Sequence, residues 1–266
     1  MKAARAHGPL DPSPRDREAT LARRWRHLRD GIPSALFLVG GAVALLAVLV
    51  LLGWFLAKVA NDDALGRADS SLSRWFAAHR STDLNEVTGW TTDLGGTLPI
   101  ATLAVLVVAG AALAWRRWRE PMLVAVAVAG EVVIFLGVTM LVDRARPPVK
   151  HLDQAPPTSS FPSGHTAASV ALYGAVAILA SERARSAVLR WLFVALAVVV
   201  PLLVAVSRVY RGMHFVSDVL GGVLLGAVWL WVTTMGVRLG VLHHQLRARS
   251  PGRLRGFQRA RGGSLR

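Results

Sequence analysis

Six apolar runs alternate with polar connectors along the chain, at about 34–57, 98–115, 121–142, 164–180, 192–206 and 215–237. A bilayer's hydrocarbon core takes about 20 helical residues to cross and offers no water to unpaired backbone groups. The pattern therefore predicts six membrane-spanning helices packed as one domain over 34–242. The connector at 58–96 differs from the others because it mixes Asp62, Asp63, Asp69, Asp83, Glu86 and Asp93 with Arg67, Arg74 and Arg80. Within it Leu65, Leu72, Trp75 and Phe76 recur at helical spacing, which predicts one amphipathic helix at the interface, roofing the bundle. The expected fold is all-α: a six-span transmembrane helical bundle with an interfacial helix between spans one and two.

Charge orients this bundle. The chain is 53% hydrophobic yet carries a formal net charge of +15. Its arginines collect in a leader at 1–33 (Arg15, Arg17, Arg23, Arg24, Arg26, Arg29), in connectors at 116–119 and 183–190, and in a tail at 243–266, with no acid after Asp218. The positive-inside rule puts these segments and both termini in the cytoplasm. The connectors at 58–96, 143–163 and 207–214 then emerge together outside, as expected of a multi-pass protein of a bacterial plasma membrane. The leader has no apolar periodicity and is expected to be mobile or to lie along anionic headgroups. Basic segments beside a span suit lipid, so no nucleic-acid partner is expected. The first run follows a long basic segment without a small-residue cleavage site and is read as a retained span. The chain has no cysteine, which removes disulfide and thiolate chemistry.

The polar residues on the outer face carry the chemistry. Ser-Ser-Phe-Pro-Ser-Gly-His-Thr at 159–166 opens the fourth run. There Ser163 is placed to cap a helix, Gly164 to admit backbone N–H groups close to a ligand, and the helix N-terminus to favour an anion. His165 sets an imidazole beside that anion. Arg146 and Arg208 suit bidentate contact with phosphoryl oxygens. His214 and Asp218 are four residues apart, which on a helix puts them on one face. The carboxylate would then orient the imidazole, fix its tautomer and stabilise the charge it develops on attack. His165, on another helix, is free to give a proton to a leaving oxygen. Together these groups describe phosphoryl transfer through a covalent histidine intermediate. A metal on His214, Asp218, His165 and His151 is the alternative, but Arg146, Arg208 and Arg211 so close by favour an anion, and neither metal nor cofactor is expected. Glu131 falls mid-span in the third run, as part of a polar pathway or as a neutral or hydrogen-bonded interhelical group.

These residues resemble the signature of the type 2 phosphatidic acid phosphatase (PAP2) superfamily. Pro-Ser-Gly-His matches at Pro162–His165, and Ser-Arg, five residues, His, three residues, Asp matches at Ser207, Arg208, His214 and Asp218. The first part, Lys, six residues, Arg-Pro, matches only at Arg146 and Pro147, because Thr139 stands where the family has Lys. The resemblance covers the chain from the second span onward. It implies an integral-membrane, metal-independent phosphatase acting on a lipid phosphate such as undecaprenyl diphosphate, phosphatidic acid or phosphatidylglycerol phosphate. His214 would be the nucleophile, Asp218 its orienting partner and His165 the acid, with Arg146, Arg208, Ser163 and the Gly164 backbone holding phosphoryl oxygens. Arg144, Lys150 or Arg211 would compensate for Thr139; without compensation, a non-catalytic lipid-binding or scaffold homologue is the alternative. Vanadate-dependent haloperoxidases share the signature, but they are typically soluble and six apolar spans speak against them.

Overall fold

A computed structural model describes residues 14–58, 63–115 and 119–249. Eight helices occur in this part: α1 Pro14–Lys58, α2 Ala64–Ala78, α3 Thr82–Asp93, α4 Thr97–Trp115, α5 Arg119–Leu141, α6 Gly164–Arg183, α7 Ala187–Tyr210 and α8 Val216–Arg249. Six contain stretches long and apolar enough to cross a membrane: Ile32–Lys58 of α1, α4, α5, α6, α7 and Val216–Val241 of α8. The described residues divide into one compact unit at 38–237 and a second made of those at 14–37 and 238–249.

The leader is helical from Pro14, a residue whose fixed φ and missing N–H suit a first helical position. Its first 13 residues, the tail beyond Arg249, and Arg116 and Arg117 lie outside the described residues.

The 58–96 connector carries two helices where one was expected. A side-chain cap accounts for the second: Ser81 Oγ accepts from the Leu84 N–H (3.3 Å), and Asp83 complements the first turn of α3. α2 presents Leu65, Leu72 and Trp75 outward and buries Gly66, Asp69 and Ser73. Its apolar stripe thus faces the side where lipid would lie, while its small polar stripe faces protein.

Spanning helices gain little from hydrophobic burial in lipid and associate through close backbone approach. α6 and α8 meet in this way. A Cβ built on Gly222 would lie 2.5 Å from the Ser163 carbonyl oxygen, and one on Gly226 2.6 Å from that of Ala167. Gly130 of α5 accepts the Trp229 indole of α8, whose Nε1–H donates to the Val126 carbonyl (3.2 Å). Ile100, Ala104, Val124, Ala127, Leu172 and Ala175 close the α4–α5–α6 core. Toward the far end of these helices Arg183 pairs with Glu120 (2.7 Å) and lies over the Trp115 ring.

The connectors that precede α4, α6 and α8 are tied to one another. Arg80 donates through Nε and Nη2 to the Tyr210 carbonyl and through Nη1 to that of Lys150. Gly212 takes φ +75°, the left-handed region that favours glycine, as it turns the chain from α7 toward α8.

Gly226→Ala should destabilise the bundle by about 1–3 kcal/mol, because its methyl group meets a carbonyl oxygen that cannot yield. Gly110→Ala, where nothing lies within 4 Å of the new Cβ, should be neutral or stabilising. Thermal unfolding in detergent checks both, and equal midpoints for the two variants would contradict the packing argument.

Candidate active site

The start of α4, the middle of α5, the link that follows α5, the start of α6, the end of α7 and the turn before α8 converge on one cavity of about 640 Å³. Arg146, Gly164, His165, Arg208 and His214 are all in its lining.

His214 is buried in the turn before α8, not within the helix. Its Nδ1 lies 2.8 Å from the Ser160 carbonyl oxygen. A carbonyl only accepts, so Nδ1 carries the proton and Nε2 keeps its lone pair. The nearest Asp218 oxygen is 3.8 Å from Nδ1, too far for a hydrogen bond. The Ser160 carbonyl, not the expected Asp218 carboxylate, is thus the hydrogen-bond partner of the ring, and Asp218 stands beside it as a charge. Burial lowers the His214 pKa, Asp218 opposes that shift, and Arg208 and Arg146 add to it. The resting imidazole is therefore neutral near pH 7.

Asp218 has no exposed surface. Its carboxylate accepts from Ser160 Oγ, from the Phe215 N–H (2.9 Å) and from Arg144. Arg144 also reaches Asp69 (3.1 Å) and Ser217 Oγ (2.8 Å), and it lies over the Phe215 ring. Asp69, on α2, accepts in turn from Ser217 Oγ and from the Ser217 N–H. Two buried carboxylates thus share one guanidinium.

Ser163 occupies the N-cap position of α6, yet its Oγ pairs with Thr166 Oγ1 (3.0 Å) and caps no backbone N–H. Its own N–H donates to the Asp218 carbonyl oxygen (3.0 Å). The first N–H groups of α6 are thereby without a side-chain cap, which suits an anion. Gly164 is small because of the Phe135 ring, 2.9 Å from a built Cβ. His165 follows it, partly buried and in the cavity lining.

The four arginines around the cavity divide into two kinds. Arg211 holds Asp153 through Nε and Nη2 and the Asn85 carbonyl and Thr88 through Nη1. Burial pushes the Asp153 carboxyl up, but Arg211 and Arg208 outweigh this and hold it below its usual range. Arg144 is taken by Asp69 and Asp218. Neither is available to replace the missing Lys, which corrects that expectation: each already neutralises a buried or half-buried acid. Lys150 has an exposed side chain, and Thr139 bonds the Leu136 carbonyl within α5 (3.0 Å); neither lines this cavity. Arg146 and Arg208, by contrast, keep buried Nε–H groups that have no partner among the described residues. Arg146 donates through Nη1 to the Met213 carbonyl (2.8 Å), and Arg208 through Nη1 to Thr92 and Asp153. Both are held in place with a donor to spare. Burial also lowers the Arg146 pKa, with the Asp218 charge opposing it.

His151 bonds the Pro147 carbonyl (3.1 Å), and among the described residues no three His, Asp or Glu side chains gather as metal ligands. Sequence reasoning missed Asp69, Asp153 and Ser160. The Gly66, Asp69, Ser73 stripe was the legible signal for the first, since a small polar face on an otherwise amphipathic helix faces protein.

Arg144→Leu strands two buried carboxylates and should cost about 3–5 kcal/mol. Chemical denaturation in detergent checks this, and an unfolding midpoint equal to that of the wild type would remove Arg144 from the account.

A sequence model described as the PAP2 superfamily matches residues 120–239, a segment that contains Arg146, Gly164, His165, Arg208, His214 and Asp218. The chain is 30% identical over 182 residues to phosphatidylglycerophosphatase B of Bacillus subtilis, covering 67% of this chain and 87% of that protein. It is 34% identical over 92 residues to an undecaprenyl-diphosphatase of Sulfolobus acidocaldarius, 35% of this chain and 39% of that one. The fold matches a crystal structure of a transmembrane PAP2-type phosphatidylglycerolphosphate phosphatase from Bacillus subtilis with a TM-score of 0.64 at 28% identity, over 71% of this chain and 94% of that one. On sequence and fold together, the chain belongs to the PAP2 superfamily of membrane phosphatases.

Proposed function

We propose that the chain hydrolyses a lipid phosphate without a metal, through a phosphohistidine on His214. One observation carries this reading: two arginines, each keeping a guanidinium N–H without a partner among the described residues, line one cavity with two imidazoles. In the first step His214 Nε2 attacks phosphorus, the bond from phosphorus to the leaving oxygen breaks, and His165 gives that oxygen a proton. Arg146, Arg208 and the N-terminal N–H groups of α6 hold the phosphoryl oxygens as charge moves among them. The positive charge arising on His214 is met by the Asp218 carboxylate and by the Ser160 carbonyl on Nδ1–H. Water then attacks phosphorus, His165 takes its proton, the P–N bond breaks, and inorganic phosphate leaves.

The relatives' names support phosphatidylglycerol phosphate and undecaprenyl diphosphate as substrates, with phosphatidic acid the third expected from the family signature. The arginine-rich connectors support an extracytoplasmic site in a bacterial plasma membrane with both termini inside. The scaffold alternative rested on Thr139; with Arg146 and Arg208 supplying free donors, a phosphate has ligands without a cation at that position.

Purified protein in detergent should release inorganic phosphate from these lipids in EDTA, and His214→Ala should lower the rate at least about 1,000-fold. Because burial lowers the His214 pKa, the nucleophile stays neutral as pH falls past the ordinary histidine value. The acid limb of kcat/KM should therefore lie below about pH 6.5. A folded His214→Ala protein with wild-type release, or an EDTA-sensitive rate restored by a divalent cation, would refute the mechanism.

A further inference from the structure

The cavity continues beyond the phosphate-facing groups. Between α4, α5 and α6 its wall is Ile100, Val128, Val132 and Ala168, and Glu131 is set into that apolar stretch. Glu131 is 1% exposed, and no hydrogen bond or ion pair joins its carboxyl to any described residue. The other two buried acids among the described residues, Asp69 and Asp218, are both paired with Arg144. A buried carboxyl left without a partner within a span is costly, and one that faces a cavity points to a partner supplied by a ligand.

Helix register says which part of a ligand that is. Phe135 packs on Gly164, fixing α5 against α6. Glu131 is four residues before Phe135, and His165 only one after Gly164, so in this antiparallel pair Glu131 sits about 4.5 Å deeper than His165. The phosphoryl group lies at the level of the histidines. A leaving group protonated by His165 and running down the cavity therefore passes Glu131 within a few bonds of the phosphate.

We propose that Glu131 is a specificity-determining residue that hydrogen-bonds an oxygen of the lipid's leaving group. It thereby selects glycerolipid phosphates over polyprenyl and alkyl monophosphates. The inference rests on the phosphatase reading above. A glycerolipid carries hydroxyl and ester oxygens next to the phosphate. A carboxyl accepts from a hydroxyl in either protonation state, and in its neutral form it also donates to an ester carbonyl. A polyprenyl or alkyl monophosphate offers only hydrocarbon at that depth and leaves the carboxyl unsatisfied, which is worth about tenfold or more in discrimination.

The test is kcat/KM of the full-length protein in detergent for phosphatidylglycerol phosphate and for undecaprenyl monophosphate. Wild type, Glu131→Met, which keeps length and removes both oxygens, and Glu131→Gln, which keeps an acceptor, are compared. Wild type should favour the glycerolipid. Glu131→Met should lower that ratio at least tenfold, and Glu131→Gln should retain most of it. A long-chain alkyl monophosphate, which has no oxygen beyond its phosphate, makes the same comparison without any variant and should be turned over at least tenfold less efficiently than the glycerolipid. The inference falls if Glu131→Met lowers both rates together with the ratio intact, as packing damage would. It falls equally if wild type prefers the polyprenyl lipid or treats the alkyl phosphate as a glycerolipid, and in those cases the phosphatase reading stands. No release from any lipid by wild type, matching His214→Ala, overturns that reading and the inference with it.

Discussion

The buried Asp218 carboxylate is the group on which the rest of the site depends. A charge taken out of water is tolerated only when it is paired and hydrogen-bonded, and here the first turn of α8, the Phe215 N–H, Ser160 Oγ and Arg144 together satisfy it. The same contacts fix the geometry. Ser160 binds Asp218 with its hydroxyl and His214 with its carbonyl, while the Ser163 N–H binds the Asp218 backbone. The start of α6 is thus tied to the start of α8, and with it the spacing between His165 and His214. Gly222 and Gly226 allow the two helices to approach closely enough for these bonds to form.

Cationic side chains around the cavity do two different jobs. Arg144 and Arg211 neutralise Asp69, Asp218 and Asp153, and so hold α2, the link after α5 and the α7–α8 turn together. Arg146 and Arg208 are anchored by one edge of each guanidinium and keep an Nε–H for another acceptor. Rigid placement with a donor in reserve is what preorganised binding of a phosphoryl group requires. In the proposed function the site would draw its phosphate affinity from a small part of a strongly basic chain.

Much of this was legible in the sequence. The six spans follow from run length alone, and the small residues of α6 announced close packing. Arg146, His165, Arg208 and His214 share a cavity as their motif spacing implied. What was not legible lies in long-range pairings. Arg144 meets Asp69 across 75 residues and Ser217 across 73, so its charge looked free when read along the chain. The roofing segment looked like one helix because apolar periodicity continues past the Ser81 cap, and Ser160 was hidden because its orienting group is a backbone carbonyl, which every residue has.

The central claim is that phosphate passes through His214. The most direct measurement is a single turnover with radiolabelled lipid phosphate, quenched in alkali, followed by peptide mapping. The account predicts transient, acid-labile label on the peptide that contains His214, and its absence in His214→Ala. Label found only in inorganic phosphate at every quench time, or on another residue, would contradict it.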